Sequence, residues 1–324
     1  MKALVTGAAG FVGSHTSEAL LRLGHDVRGV DALTDYYDPG LKKANVRLLQ
    51  DWTTFEFREA DLLEAELAGL LDGVDVVFHL AAQPGVRSSW QHGFAVYAEA
   101  NIMVTQRLLE ATRLSQVRRF VYASSSSVYG RATSYPTSED MPTRPFSPYG
   151  VTKLAAEHLC GLYADNWGVP TVSLRYFTVY GPRQRPDMAM NRFIAAALEG
   201  RPIPVYGDGE QVRDFTFVQD VVAANLAAGQ VADLTPGTVL NVAGGGSITV
   251  NGLVELLQTV VGRPVNTVQQ PRQPGDVQQT GGTIELAERL LGWRPQVAVP
   301  EGLAHQVAWQ QSLPAEPAAP TTRR

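Results

Sequence analysis

Lys2-Ala3-Leu4-Val5-Thr6-Gly7-Ala8-Ala9-Gly10-Phe11-Val12-Gly13 runs a short apolar segment straight into a glycine-rich turn. An amphipathic pattern follows through Leu20, Leu21 and Leu23 to Gly24. The opening residues read as a buried parallel strand and the pattern after the turn as a helix. Gly7, Gly10 and Gly13 let the backbone turn tightly and approach a pyrophosphate. Phe11 and Val12 open the helix whose N-terminus stabilises that charge. Any tight strand–helix joint favours glycine, so the turn takes its meaning from context. Asp31 supplies it by ending the next strand, Asp26-Val27-Arg28-Gly29-Val30. A carboxylate there binds both hydroxyls of an adenosine ribose and repels a 2′-phosphate, which favours NAD over NADP.

Further strands are expected at Phe55–Arg58, Asp75–Leu80, Arg118–Ala123 and Thr171–Phe177. The first ends near Asp61-Leu62, a candidate adenine contact. The second runs into Ala81-Ala82, small enough for backbone to lie against a cofactor. A long helix is expected from about Phe94 to Leu114. Val239–Val242 is positioned to return to the main sheet, and helix 250–261 belongs to a second lobe. The expected fold is α/β, a Rossmann-type doubly wound parallel sheet with a smaller interleaved α/β substrate-binding lobe. Residues 1–178 form the NAD-binding part, with a return segment near 215–243. Residues 179–312 are mostly the lobe, and 313–324 a disordered low-complexity tail.

Composition excludes several classes. The chain has 324 residues, 44% hydrophobic and 18% charged, with net charge −5 and no basic run, so nucleic acid is not an expected partner. Cys160 is the single cysteine, which rules out an internal disulfide and fits a reducing, cytoplasmic setting. No signal peptide or membrane-length apolar run is seen, and the six histidines fall into no metal spacing.

Chemistry gathers at Ser147-Pro148-Tyr149-Gly150-Val151-Thr152-Lys153. Tyr149 and Lys153 are one helical turn apart, and a nearby ammonium favours the phenolate, making a tyrosine into a general base. The bland alternative is a surface pair. Ser125, Ser126 and Ser127 end a parallel strand at its carboxyl end, where open sheets bind ligands. Elsewhere a serine run is a plain polar loop.

Together these pieces resemble the extended short-chain dehydrogenase/reductase family, over residues 1 to about 310, and within it the nucleotide-sugar epimerases. The UDP-glucuronate 4-epimerase group is similar in Asp35-Tyr36-Tyr37-Asp38, Ala81–Arg87, Arg175–Pro182 and Arg185–Ala189. The resemblance implies Tyr149, Lys153 and Ser125 as catalytic residues, with Lys153 also on the nicotinamide ribose and Tyr176 beside the nicotinamide. It implies NAD-dependent inversion of carbon 4 of a UDP-sugar through a 4-keto intermediate, UDP-glucuronate to UDP-galacturonate. Arg213 and Asp276 match positions holding diphosphate and ribose, and Val205 and Tyr206 would flank the uracil. Gln211, Arg192 and Arg87 are further substrate candidates, the two arginines set against ordinary surface roles. Thr178 and Arg185 would hold the sugar carboxylate, with Ser126 and Ser127 alongside. A homodimer through the Phe94–Leu114 and Tyr149–Asn166 helices is also implied. Gln273 replaces an arginine usual in UDP-hexose epimerases, and Gly281-Gly282 departs from an Ala-Asp-like pair. The alternatives are a UDP-glucose/UDP-galactose 4-epimerase, a UDP-glucuronate decarboxylase and a non-catalytic NAD-binding regulator.

Overall fold

The structure, a computed structural model, describes residues 1–90 and 93–313. Of the expected tail, 314–324 lies outside the described residues. Twelve strands are numbered along the chain among the described residues. Seven form a parallel central sheet: β1 (Lys2–Thr6), β2 (Asp26–Asp31), β3 (Phe55–Glu59), β4 (Val76–His79), β5 (Arg119–Ser125), β6 (Thr171–Tyr176) and β10 (Thr238–Val242). Their order is β10-β6-β5-β4-β1-β2-β3, so the winding reverses between β1 and β4, where such sheets open a ligand crevice.

Alternation along β1 builds both faces of the core, since successive side chains point to opposite sides. Ala3 and Val5 pack with Leu20, Leu21, Val221 and Ala224, from the Phe11–Arg22 and Val218–Gln230 helices. Leu4 packs the other way with Leu108, Leu109, Ala156 and Cys160. Each fully buried leucine of this kind contributes about 1.5–3 kcal/mol. The first helix stops at Arg22, one residue before the last leucine of the apolar pattern, and Leu23 is 58% exposed as its cap.

The lobe is built on a three-stranded sheet, β7 (Thr178–Tyr180), β9 (Val212–Phe217) and β11 (Ser247–Thr249), and a pair, β8 (Ile203–Tyr206) and β12 (Thr267–Gln270). Its own core includes Tyr180, Phe193, Ile194, Phe215, Leu253 and Leu303. The expected strand through Phe177 ends at Tyr176, and a separate strand begins at Thr178. Gly282 accounts for one departure from the family pattern: a Cβ there would lie 2.5 Å from the Phe177 ring.

The long helix expected from Phe94 runs without interruption to Arg113 but widens in its middle. Phe94–Tyr97 and Val104–Arg113 are α-helical, while Ala98–Met103 is a π turn holding buried Asn101. Asn101 Oδ1 accepts the Gln83 N–H (2.7 Å), and Nδ2 donates to Gln83 O (3.1 Å) and Thr152 Oγ1 (3.0 Å). The wide turn is thus fixed by a distant backbone segment that helical periodicity does not register.

His15 and His79 are buried and neutral. Burial pushes His15 down to about 4 and His79 down to about 3. His15 Nε2–H donates to Pro182 O at 2.9 Å. The unfolded chain therefore binds a proton at position 15 below about pH 6.5 that the folded chain refuses until about 4, so this part of stability fades on acidification through that window. Asp214, pushed up to about 6 by burial, works in the opposite sense. Comparing the chain with His15→Gln isolates the histidine, because glutamine can keep the donor. Urea unfolding is expected to show the native chain losing about 3 kcal/mol relative to the variant between pH 6.5 and 4. A pH-independent difference would refute the assignment.

Candidate active site

The glycine-rich turn fits a dinucleotide on its own geometry. Gly7 has φ +70°, and a Cβ on it would lie 2.8 Å from the Ala81 nitrogen; one on Gly13 would lie 2.0 Å from Gly7 O. The turn and the Ala81-Ala82 segment therefore touch backbone to backbone, further tied by the Ala81 N–H to Thr6 Oγ1 (3.1 Å). Gly10 caps the Phe11–Arg22 helix with no side-chain acceptor, leaving the N-terminal N–H groups of Phe11, Val12 and Gly13 for an anion. Asp31 Oδ2 accepts the Ala9 N–H (3.1 Å) and Oδ1 the Leu33 N–H (2.8 Å), which aims its carboxylate along the turn. Burial pushes this carboxyl up, opposed by the Leu33 N–H and the Lys42 charge. Asp61 is exposed at the end of β3, whereas Leu62 is buried in the core. Asp31→Asn is expected to weaken NAD about 10- to 100-fold and to narrow the preference over NADP. Calorimetric titration with both dinucleotides checks this, and unchanged selectivity would refute it.

Tyr149 lies in the first turn of the Pro148–Trp167 helix, which Ser147 caps by accepting the Gly150 N–H at 3.1 Å. Its ring meets Tyr97 edge-on, centroids 6.2 Å apart. Here the structure corrects the expected electrostatics. Burial pushes the Tyr149 phenol up, while the neighbouring Ser125 hydroxyl and the Arg185 charge draw it back down. Lys153 stands apart from that balance. Its Nζ lies over the Tyr122 ring, 4.5 Å from the centroid, and burial pushes it down to about 7. Helical spacing brings the two residues to one face without fixing where a long lysine side chain ends.

Ser125 Oγ accepts the Ser127 N–H (3.1 Å), and Ser126 and Ser127 begin a short turn behind it. Thr178 opens β7. Arg185 is 18% exposed, pairs with Asp187 (2.9 Å) and lies 6.0 Å from the Tyr36 ring. Tyr176 donates its hydroxyl to Asn225 Oδ1, so that hydroxyl is already engaged inside the protein.

Beside this cluster is a cavity of about 290 Å³ that brings together Tyr206, Gln211, Arg213 and Asp276, all singled out in the sequence, with Trp90, Arg131, Phe146, Arg272 and Gln273. Arg87 crosses to it, pairing with Asp276 (2.8 Å) and stacking 4.2 Å from the centre of the Tyr206 ring. Arg192, then Arg87, hold the Tyr206 phenol below its ordinary value. Gln211 Nε2 donates to Tyr206 O (2.9 Å), and burial pushes Arg213 down. Val205 is corrected. Alternation along β8 turns its side chain into the lobe core while Tyr206 faces the cavity. Arg272 could have been found from sequence, since it supplies a cation one residue before the Gln273 substitution. Trp90, Arg131 and Phe146 carry no such signal.

Residues 3–243 match the NAD dependent epimerase/dehydratase family. The chain belongs to that family. Its cofactor is NAD, which the turn described above is shaped to hold. The chain is 44% identical to the uncharacterized UDP-glucose epimerase YtcB of Bacillus subtilis, over 97% of this chain and 99% of that one. It is 38% identical to UDP-glucuronate 4-epimerase of Thermodesulfobacterium geofontis, over 95% of each. Among solved structures it is similar to the Y149F variant of UDP-glucuronic acid 4-epimerase from Bacillus cereus, in complex with UDP-4-deoxy-4-fluoro-glucuronic acid and NAD. That match has TM-score 0.94 and 42% identity, covering 96% of this chain and 99% of that one. This member of the epimerase/dehydratase family thus carries both the dinucleotide cradle and a cation-lined cavity.

Proposed function

We propose that the chain is an NAD-dependent 4-epimerase converting UDP-glucuronate to UDP-galacturonate, with most of residues 179–312 as its interleaved substrate lobe. The observation that carries the choice of sugar is Arg185, a largely buried cation close enough to Tyr149 to lower its phenol. A glucuronate carboxylate, one carbon from the reacting centre, suits that charge, and a neutral hydroxymethyl group does not. When bound, NAD supplies the hydride acceptor and donor for carbon 4.

In this reading Tyr149 takes the proton from the 4-hydroxyl and returns it after the 4-keto sugar has turned over, with Ser125 orienting the same oxygen. Thr178 and Arg185 fix the carboxylate, with Ser126 and Ser127 alongside. Arg213, Arg87 and Arg192 hold the diphosphate, Tyr206 and Gln211 the base end, and Asp276 the ribose. Lys153, Asp31, Asp61, Ala81, Ala82 and Tyr176 serve the cofactor. Binding energy spent on the nucleotide keeps the ketone from escaping while it turns.

The test is turnover of UDP-glucuronate against UDP-glucose, with Arg185→Ala and Thr178→Asn beside the native chain. Arg185→Ala is expected to lower kcat/KM for UDP-glucuronate about 10²-fold, and UDP-glucose much less. Preference of the native chain for UDP-glucose would favour the alternative suggested by the YtcB likeness. We also propose a cytoplasmic homodimer. Val96, Met103 and Leu162 are each about half exposed on the two helices expected to pair, whereas Leu154 and Leu159 pack inward. Sedimentation at twice the chain mass is the expected result.

A further inference from the structure

The segment that delivers Arg185 is anchored from two directions. After β7 the backbone turns through Gly181 (φ +138°) and Arg183 (φ +64°), the latter a conformation that non-glycine residues keep only when their surroundings over-determine it. From one side, the dinucleotide-binding helix supplies the anchors. His15 donates to Pro182 O, and Arg183 donates to Glu18 Oε2. From the other side come three buried amides. Gln184 Nε2 donates to Val179 O (2.9 Å), and its Oε1 accepts from the Asn191 backbone (3.0 Å) and from Gln306 Nε2 (2.8 Å). Asn191 Nδ2 donates to Gln184 O (2.8 Å), and Gln306 Oε1 accepts the Gly181 N–H (2.8 Å). Gln306 is wholly buried, on the Val299–Ser312 helix, 122 residues along the chain from Gln184.

Gln184 is the residue before Arg185, and its side chain has no freedom left. A buried amide set of this kind specifies one arrangement, because each misplaced member strands another polar group. We infer that Gln306, with Gln184 and Asn191, is a positioning residue that sets the aim of Arg185 and thereby discriminates substrates by their charge at carbon 5. The inference rests on the assignment of Arg185 to the sugar carboxylate.

The test compares kcat and KM for UDP-glucuronate and UDP-glucose in the full chain, native and Gln306→Met. Methionine has similar volume but leaves the Gly181 N–H and Gln184 Oε1 each short of a partner. The expected result is a loss of about tenfold or more in kcat/KM for UDP-glucuronate, with UDP-glucose within about twofold. Glu18→Ala, at a less buried anchor of the same segment, is expected to shift the ratio in the same direction by a smaller factor and guards against a misfolded Gln306 variant. Equal losses on both substrates, or no loss in either variant, would overturn the inference. A native chain that ignores UDP-glucuronate would overturn the proposed function and this inference with it. A native chain that converts it, beside variants with an unchanged ratio, would overturn this inference alone.

Discussion

Tyr149→Phe is expected to lower conversion of UDP-glucuronate about 10²- to 10⁴-fold while NAD stays bound. The single atom removed is the phenolic oxygen, and the edge-on contact with Tyr97 survives because the ring does. Nothing in the glycine-rich turn or at Asp31 depends on that oxygen. Loss of turnover with native cofactor content therefore separates acid–base chemistry from cradle assembly. The measurement is chromatography of the nucleotide sugars, with the dinucleotide released and quantified from the same sample. Retention of more than about a tenth of native activity would sink the role given to Tyr149. The surroundings of this phenol also say what the site must overcome. Burial favours the neutral form, so the opposing influences of Ser125 and Arg185 bear directly on the base.

The second large effect is on stability. Arg175 and Glu157 form a two-pronged pair, Nη2 to Oε1 at 2.6 Å and Nε to Oε2 at 3.0 Å, with both side chains almost completely buried. Ser124 Oγ donates to the same carboxylate (2.6 Å), and Tyr129 takes another guanidinium proton (2.8 Å). Glu157→Leu would leave the guanidinium charged, dry and uncompensated, at a cost of about 3–5 kcal/mol. Removing both charges, as Glu157→Leu with Arg175→Met, is expected to recover most of the loss. Urea midpoints of the two singles and the double form the cycle. If Glu157→Leu costs under about 1 kcal/mol, the pair is not acting as a closed unit.

Local signals made the cradle and the sheet legible. β1, the turn and Asp31 lie within the first 31 residues, and every feature that defines them is a near neighbour in sequence. The return of β10 beside β6 was legible too, because an apolar run of that length has few other places to go. What escaped depends on partners far along the chain. The π turn exists because Asn101 answers Gln83, and Gln306 reaches Gln184 across most of the lobe. The direction in which the Tyr149 phenol moves is set by burial, which spacing between Tyr149 and Lys153 does not contain. Val205 and Tyr206 are adjacent letters with opposite fates, decided by which face of β8 meets the core.

With the roles proposed for Arg87 and Asp276, their contact bears on which molecules the site would accept. Its cation and anion quench each other, and Tyr206 covers the guanidinium face. A lone phosphate can compensate one of the two only by orphaning the other. A nucleoside diphosphate bound as proposed would bring an acidic group to Arg87 and a pair of sugar hydroxyls to Asp276 at once, and so would replace both lost interactions together. On the proposed assignment of Arg87 to the diphosphate and Asp276 to the ribose, the clasp would act as a length filter, turning away small anions.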